Sequence, residues 1–313
     1  MTELASPERN ASGPNADRLA AVRIALERDA ALTDSALDRL LPAEHGLHRR
    51  VMEAMRYAVF AGGKRLRPFL TLSTARLFKV PEARAARAAA AIEALHTYSL
   101  VHDDLPCMDD DDLRRGRPTT HRKFDEATAV LAGDALLTHA FGMLADPETH
   151  PSGEVRAELV ARLAAAGGAE GMIGGQMMDM RAPDEAFGEA EIILLQRMKT
   201  GALFEFSCEA GAILGGGNAE DRQRMRAYAR DLGLAFQIAD DLIDATGSAE
   251  EAGKAVGKDQ GRGKATLVSL HGVDGARAWA ARLADQAAQG LAVYGAAADD
   301  LRALPSFLLD RAS

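Results

Sequence analysis

The sequence is poor in cysteine, in aromatic residues and in positive charge. It contains 2 cysteines, Cys107 and Cys208, without the spacing of a metal-binding cluster, so we expect reduced thiols in a cytoplasmic protein. Its 37 Lys and Arg are outnumbered by 46 Asp and Glu, which gives a formal net charge of −9. Such a chain offers no basic surface to nucleic acid or to an anionic membrane, and we expect neither as a partner.

Signals for export or membrane insertion are also missing from the sequence. The N-terminus has no basic region followed by an apolar core, and no apolar run approaches the roughly 20 residues of a membrane span. Alternating strand patterns are absent, whereas Ala- and Leu-rich helical periodicity runs through most of the chain. We therefore predict an all-α fold, with one helical domain over residues 19–313. Residues 1–18 are polar and rich in helix breakers, and we predict a mobile tail there.

An acidic stretch between His102 and Gly116 carries the strongest chemical signal. Six aspartates fall within the ten positions 103–112, and Arg114 and Arg115 follow at once. Carboxylates this dense repel one another unless a cation lies among them, and Mg²⁺ prefers a few carboxylates together with substrate phosphates. The competing interpretation is a solvated acidic loop, which a charge run alone more often indicates.

A second acidic motif argues against the solvated loop. Asp240 and Asp244 lie in an apolar, helix-forming segment, where they stack one turn apart with Gln237 about one turn before them. Two carboxylate clusters so far apart in sequence can face each other across a cavity.

Together, DDLPCMD at residues 103–109 and DDLID at residues 240–244 resemble the DDxxxxD and DDxxD motifs of trans-isoprenyl diphosphate synthases, of the bacterial farnesyl diphosphate synthase type. The resemblance covers the chain from about residue 50 to 270. It implies antiparallel helices around a deep central cavity, a homodimer, isoprenoid diphosphate substrates and three Mg²⁺ ions when substrate is bound. The metal ligands that it implies are Asp103, Asp104, Asp109, Asp240, Asp241 and Asp244.

A basic segment, GGKRLRP at residues 62–68, precedes the acidic motifs. Two glycines allow the backbone to approach a ligand closely, and Lys64 and Arg67, three positions apart, can grip one phosphate together. A basic turn at the start of a helix is the alternative. The resemblance assigns this complete motif to isopentenyl diphosphate, together with Arg115 and with His96, which on its own would more often be a core histidine.

The resemblance places a second group of residues at the allylic diphosphate. Arg114 and Lys199 are its charged members, although Arg114 could instead neutralise aspartates and Lys199 alone would be an ordinary surface lysine. Residues 175–180 resemble the family's GQxxDL segment, with Met180 in place of Leu. Residues 246–263 are predicted to be a flap that closes over phosphates. The other substrate-binding residues implied are Thr200, Gln237, Lys254 and Lys264, with Lys258 a weaker candidate.

The implied reaction begins with heterolysis of an allylic carbon–oxygen bond, and the double bond of isopentenyl diphosphate then attacks the allylic cation. Negative charge develops on the departing diphosphate, so the protein must supply positioning and electrostatics and needs no nucleophilic side chain. The catalytic residues in this scheme are Asp103, Asp104, Asp109, Arg114, Lys199 and Asp240.

Tyr98 and Ser99 are expected to limit product length. They lie five and four positions before Asp103, about 6 to 8 Å deeper along a helix. By resemblance, an aromatic ring at this place stops elongation at C15, so we expect farnesyl diphosphate, made from isopentenyl diphosphate and dimethylallyl or geranyl diphosphate. The alternative for Tyr98 is an ordinary buried ring with a hydrogen-bonded hydroxyl.

Three other functions compete with this interpretation. A geranylgeranyl diphosphate synthase would share every diphosphate-binding residue and differ only in the depth of its cavity. A terpene cyclase also uses a DDxxD helix, but it lacks the GGKRLRP segment and carries a different second metal motif. A non-catalytic subunit of a partner synthase usually loses one aspartate motif, and both are intact here.

Overall fold

The computed structural model describes residues 14–185, 187–246 and 266–310, and these form an almost entirely helical protein. The helices that precede the first acidic motif are α1 (Pro14–Leu40), α2 (Arg49–Val59), α3 (Leu66–Leu77) and α4 (Glu82–Asp103). A short antiparallel hairpin follows, made of β1 (Leu113–Arg114) and β2 (Arg117–Pro118). The prediction of an all-α fold is confirmed, with this hairpin as a small addition.

The second half of the described chain is a further series of helices. They are α5 (Thr120–Lys123), α6 (Glu126–Ala145), α7 (Gly153–Gly167), α8 (Met172–Arg181), α9 (Glu189–Gln196), a π-helical turn (Arg197–Gly201), α10 (Ala202–Leu214), α11 (Ala219–Thr246), α12 (Leu267–Gly290), a 3₁₀ segment (Ala292–Ala298) and α13 (Asp299–Leu309).

Helix α4 lies at the centre of the fold and contacts α1, α2, α3, α6 and α10. Alanine dominates its first half, and Ala88 to Ala91 are fully buried. Alanine favours the helix, and its small side chain lets neighbouring helices approach closely on all sides. Helix α4 ends at Asp103, shortly before Pro106, which disfavours helical continuation. The first aspartate of the acidic stretch therefore lies at the end of a largely buried central helix.

Helix α11 carries the second acidic motif. It packs against α10 and α12, with Leu232, Ile238 and Leu242 buried in the core. Asp240 and Asp244 lie on the same helix and are half-buried. The prediction that this motif is helical, with its carboxylates one turn apart, is therefore confirmed by the extent of α11.

Helix α1 begins earlier than the sequence pattern predicted. Its first residue is Pro14, whereas apolar periodicity placed the start near Leu19. A proline suits the first turn of a helix because its fixed φ is helical and its missing N–H would be unpaired there, and Asp17 complements the helix dipole. Residues 14–18 of the predicted tail are therefore helical, and residues 1–13 lie outside the described part of the chain.

Helix α6 departs from the expectation that no apolar run reaches membrane-spanning length. Over Glu126–Ala145 it is 20 residues long, with a mean hydropathy of 1.3 in its most apolar window. A core helix passes the same test of length and composition, so a single such helix is weak evidence for a span. Ala129, Ala132 and Leu136 of α6 are fully buried, and the helix packs along α4.

Candidate active site

One large cavity, of about 900 Å³, receives both acidic motifs. Its walls come from α4 and the following loop, from α6, α8, α9 and the π-helical turn, and from α11. Apolar side chains make up much of the lining: Leu100, Leu105, Met108, Val130, Met172, Ile173, Met177, Met180, Phe187, Ile192 and Leu195. A cavity with charged and apolar parts fits a ligand that has one ionic end and one hydrocarbon end.

Most of the residues predicted for the site are brought together at this cavity. Those that line it are Arg67, His96, Tyr98, Ser99, Asp103, Asp109, Arg114, Lys199, Thr200, Gln237, Asp240, Asp241 and Asp244. Asp104 and Arg115 line a smaller neighbouring pocket, to which Arg114 also contributes. Lys64 is exposed on the loop before α3. Lys254, Lys258, Lys264 and most of the predicted flap lie outside the described residues.

The loop after α4 folds back on the end of that helix. The backbone N–H of Asp109 donates to the carbonyl of Asp103 at 2.8 Å, and the N–H of Asp111 donates to that of Asp104 at 3.3 Å. Asp110 takes a left-handed backbone conformation, which aspartate tolerates better than most residues. Through this turn Asp103 and Asp109, six positions apart, line the same cavity.

Asp103 has an unusual protonation equilibrium. Burial raises the pKa of its carboxyl from 3.8 to about 6, and the negative charge of Asp109 adds to the shift, while the Lys199 ammonium opposes it. The carboxylate form is therefore held at some cost in free energy near neutral pH. A cation bound beside Asp103 would relieve that cost.

Asp104 makes a two-pronged ion pair with Arg114. The Arg114 Nε donates to the two carboxylate oxygens at 2.7 and 2.9 Å, and its Nη2 lies 2.6 Å from Oδ1. Asp104 is 2% exposed, so this pair is largely removed from water. The metal-binding role predicted for Asp104 remains a prediction, and its geometry favours orienting Arg114 towards the cavity.

Arg67 and His96 form the basic part of the cavity wall. Arg67 Nη1 donates to His96 Nε2 at 3.2 Å, and its guanidinium lies 5.2 Å from the centre of the Phe204 ring. Burial lowers the pKa of Arg67 to about 10. Among the described residues, the buried Arg67 Nε has no hydrogen-bond partner. This donor is one that a bound anion would satisfy.

The glycines before Lys64 make room for Arg115. Arg115 donates from Nη1 to the carbonyl of Gly62, and a Cβ on Gly63 would lie 2.5 and 2.6 Å from Cζ and Nη2 of Arg115. Gly63 also has a φ of 128°, which side chains rarely allow. The two glycines are therefore explained by a close approach of this arginine to the backbone.

Arg65 is a residue of the site region that the sequence interpretation missed. Its side chain is 1% exposed and pairs with the equally buried Glu93 at 2.6 Å, with Asp34 at 2.9 Å and with the Val59 carbonyl at 2.6 Å. These bonds anchor the loop that carries Lys64 and the start of α3, where Arg67 lies, to α1, α2 and α4. A glutamate inside the Ala-rich run of α4 was the sequence signal for this pair.

Lys199 lies in the π-helical turn, a feature that is frequent at functional sites. Its Nζ contacts Asp179 Oδ2 at 2.6 Å. A Cβ on Gly175 would lie 2.6 Å from the Lys199 Cα, so α8 packs directly against the turn. Asp179 was seen only as part of a motif, and the structure gives it a defined contact with Lys199.

Two hydrogen bonds join α11 to this turn and to the end of α9. Thr200 Oγ1 donates to Gln237 Oε1 at 2.9 Å, and Gln196 Nε2 donates to Asp241 Oδ2 at 3.3 Å. Thr200 and Gln237 were predicted for the site, whereas Gln196 was not, because no motif contains it. The contacts hold the second acidic motif in register with Lys199.

Acidification is expected to destabilise the protein through His96. Burial lowers the pKa of this imidazole well below 6.5, and the cations of Arg67 and Arg115 lower it further. Below about pH 6.5 the unfolded chain binds a proton here that the folded chain refuses, so the free energy of unfolding should fall by about 1.4 kcal/mol per pH unit from this group. Urea unfolding at pH 7.5 and 5.5 would measure the loss.

The control is His96→Gln, whose side chain cannot take up the proton. Its loss of unfolding free energy between pH 7.5 and 5.5 should be smaller than that of the unmodified protein by about 1 kcal/mol. Equal losses in the two proteins would contradict the prediction.

Known proteins share both the sequence and the architecture of this chain. Residues 48–294 match a family model described as polyprenyl synthetase. The chain is 46% identical to a farnesyl diphosphate synthase of Geobacillus stearothermophilus over 246 residues, which cover 78% of this chain and 82% of that protein. It is 44% identical to a chloroplastic geranylgeranyl pyrophosphate synthase of Catharanthus roseus, over 78% of this chain and 69% of that protein.

A solved structure agrees with these sequence matches. The chain is similar to an FPP/GFPP synthase from Zymomonas mobilis, with a TM-score of 0.85 and 47% sequence identity, over 93% of this chain and 99% of that chain. The matching proteins carry the names of synthases with different products.

Proposed function

Because the chain belongs to the polyprenyl synthetase family and is thus a prenyltransferase, we propose that it condenses isopentenyl diphosphate with dimethylallyl or geranyl diphosphate to give farnesyl diphosphate and pyrophosphate. The observation that carries the proposal is the convergence of both acidic motifs, Arg114 and Lys199 on one cavity with a largely apolar lining. The homodimer implied by the resemblance stays a prediction.

We propose that Mg²⁺ is bound between the two acidic motifs. Asp103 and Asp109 line one part of the cavity and Asp240, Asp241 and Asp244 another, and carboxylate oxygens are the ligands that Mg²⁺ prefers. Among the described residues, no three such side chains form a closed metal site. Mg²⁺ keeps several waters and takes ligands from substrate phosphates, so an open set of carboxylates fits metals that arrive with the diphosphate. When bound, the metal supplies charge that stabilises the leaving diphosphate.

The basic residues form two groups, and each group binds one of the two diphosphates. Arg67, His96 and Arg115, with Lys64 on the adjacent loop, hold isopentenyl diphosphate, and the buried Arg67 Nε is a donor for one of its phosphate oxygens. Arg114, oriented by Asp104, and Lys199, held by Asp179, contact the allylic diphosphate. Lys254 and Lys264 are proposed for the same diphosphate from the resemblance alone.

The protein's contribution to the reaction is positioning and electrostatics. As the allylic carbon–oxygen bond breaks, the cations of Arg114 and Lys199 stabilise charge on the departing oxygens. The residues around Arg67 hold isopentenyl diphosphate with its double bond beside the allylic cation. The two reactants are then already oriented, so the attack does not depend on a chance collision. A proton then leaves the new chain, and the departing diphosphate is its acceptor. Thr200 and Gln237, joined by a hydrogen bond, keep the cavity wall rigid beside Lys199.

Tyr98 is proposed to end chain growth at C15. Its ring lines the cavity and is 5% exposed, and burial raises the pKa of the phenol to about 12, so the ring stays neutral. Replacing Tyr98 with alanine removes this obstacle, and we expect geranylgeranyl or longer diphosphates to become the main product. Chromatography of the dephosphorylated alcohols would measure the change. An unchanged C15 product would refute the gating role.

The experiment that tests the function uses the purified protein with MgCl₂, dimethylallyl diphosphate and isopentenyl diphosphate, followed by dephosphorylation and mass identification of the alcohols. Mainly farnesol supports the proposal. Mainly geranylgeraniol would support the same condensation reaction but with a C20 product, the product for which the Catharanthus roseus relative is named. Absence of any condensed product would contradict the proposal and favour a cyclase, which does not join the two C5 substrates, or a non-catalytic subunit.

A further inference from the structure

The cavity wall beside Tyr98 is built from groups on two helices. His102 follows Tyr98 by one turn of α4, and their rings pack edge to face, with centroids 5.6 Å apart and planes at 87°. His102 Nε2 lies 3.0 Å from the carbonyl oxygen of Val130 on α6. Since a carbonyl only accepts hydrogen bonds, Nε2 carries the hydrogen and donates it. Tyr98, His102 and Val130 all line the cavity.

Gly133 of α6 provides the space in which the His102 ring lies. A Cβ on Gly133 would be 2.9 Å from the His102 Cε1 and closer still to Nε2 and Cδ2. The residue lies inside a helix and is not among those with a left-handed backbone, so its conformation does not require glycine. A glycine inside a helix costs about 1 kcal/mol relative to alanine. Close packing of the imidazole on the α6 backbone is the physical reason for it here.

We propose that His102, seated against Gly133, is a positioning residue for Tyr98 and thereby helps to set the length of the isoprenoid product. The inference rests on the proposed synthase activity and on the gating role of Tyr98. The chain of contacts runs from the α6 backbone to the imidazole and from the imidazole to the tyrosine ring. The α6 backbone thus fixes the His102 imidazole, and the imidazole in turn holds the Tyr98 ring in place against the growing hydrocarbon chain.

Loss of the imidazole from this position lengthens the product. Without its edge-to-face partner, the Tyr98 ring can turn into the space above α6, and the hydrocarbon chain then extends past it. Gly133→Ala expels the imidazole because its methyl group occupies the same volume. His102→Ala removes the ring while leaving α6 untouched. Both variants remove the imidazole from its position beside Tyr98, one by a change on α6 and the other by a change on α4. Any unrelated effect on the structure therefore differs between them.

The test is the ratio of C20 to C15 alcohols made by the full-length protein with MgCl₂, dimethylallyl diphosphate and isopentenyl diphosphate. The variants are Gly133→Ala, His102→Ala and Tyr98→Ala, with Gly142→Ala as the matched control. Gly142 lies on the same helix, and a Cβ there meets no atom of the described residues within 4 Å apart from its chain neighbours and the backbone of its own helix. Because the C20 product is made from the C15 product, the ratios are compared at equal conversion of isopentenyl diphosphate, so that reduced activity or partial unfolding does not imitate a change in length.

We expect Gly133→Ala and His102→Ala each to raise the ratio at least threefold, and Gly142→Ala to leave it unchanged. The inference is overturned if Tyr98→Ala raises the ratio while either variant that displaces the imidazole keeps that of the unmodified protein. A rise with Gly142→Ala equal to that with Gly133→Ala would overturn it as well, since packing on His102 would then not be the cause. Absence of any prenyl product from the unmodified protein is a different result, which refutes the proposed function itself.

Discussion

Asp103→Asn is expected to reduce product formation by about 1000-fold and, at the same time, to stabilise the metal-free protein. The loss follows from the proposed role of this carboxylate, whose negative charge an amide cannot replace. The gain follows from its protonation equilibrium. Burial raises the pKa of Asp103 in the folded protein to about 6, above its ordinary 3.8, so the charged form destabilises the fold.

The pH dependence of this gain has a definite sign. Above about pH 6 the folded protein holds a carboxylate that the unfolded chain solvates better, and at pH 7.5 the variant should be more stable by about 3 kcal/mol. As the pH falls below 6, the folded protein takes up the proton first, so the difference should shrink to about 1 kcal/mol at pH 4.5 and disappear only below the ordinary pKa of 3.8. Urea unfolding in EDTA at pH 7.5 and 4.5 measures both values.

Asp110→Asn is the matched control for this change. It removes one charge from the same acidic run, keeps a side chain that tolerates the left-handed backbone of residue 110, and lies on an exposed position. We expect it to retain nearly full activity and to leave stability within about 0.5 kcal/mol. Equal loss of activity in both variants would mean that the total charge of the loop matters and the position of Asp103 does not.

Glu93→Ala is expected to lower the free energy of unfolding by about 3 to 5 kcal/mol. The Glu93 carboxylate accepts a 2.6 Å hydrogen bond from Arg65, and both side chains are almost completely buried. Removal of the carboxylate leaves the guanidinium charge in the interior, where its remaining partners are Asp34 and one backbone carbonyl. Urea unfolding at pH 7.5 measures the loss.

Asp34→Ala is the control, because it removes the other carboxylate that pairs with the same guanidinium. The side chain of Asp34 is 45% exposed, so its carboxylate stays partly solvated and its removal leaves the Glu93 partner of Arg65 in place; we therefore expect a loss of only about 1 kcal/mol. If Asp34→Ala lowered the free energy of unfolding as much as Glu93→Ala does, the prediction that the buried carboxylate contributes more would be contradicted. Since Arg65 anchors the loop that carries Lys64 and the start of α3, where Arg67 lies, we also expect Glu93→Ala to raise the KM for isopentenyl diphosphate more than it lowers kcat.

The site could be predicted where its chemistry lies in short, contiguous motifs. Asp103 and Asp109 are close in sequence, and Asp240 and Asp244 share a helix face by helical spacing alone, so both clusters are recognisable in the sequence. That the clusters line one cavity was expected from the resemblance, and the positions of α4 and α11 around that cavity agree with it. Several residues that contact or support the site were not predicted from the sequence. Asp179, Gln196 and Glu93 act through contacts between helices.

The start of α1 shows the limit of periodicity. Apolar spacing detects the part of a helix that faces a core, so it placed the beginning near Leu19, while the polar first turn from Pro14 has no such signal. Asp104 shows a second limit. Two adjacent aspartates read alike in sequence, yet one lines the cavity and the other turns to Arg114, because consecutive residues at the end of a helix point in different directions.

The sequence by itself determined the helical character of this protein, its family and the types of side chain available for chemistry, since those depend on local propensity, periodicity and contiguous motifs. Only the tertiary structure decided which partner each of those side chains has. Arg65 pairs with Glu93 across 28 positions, and His102 lies on Gly133 of another helix. Such contacts depend on how closely two helices approach, and that distance results from the packing of the whole core, which no local pattern records.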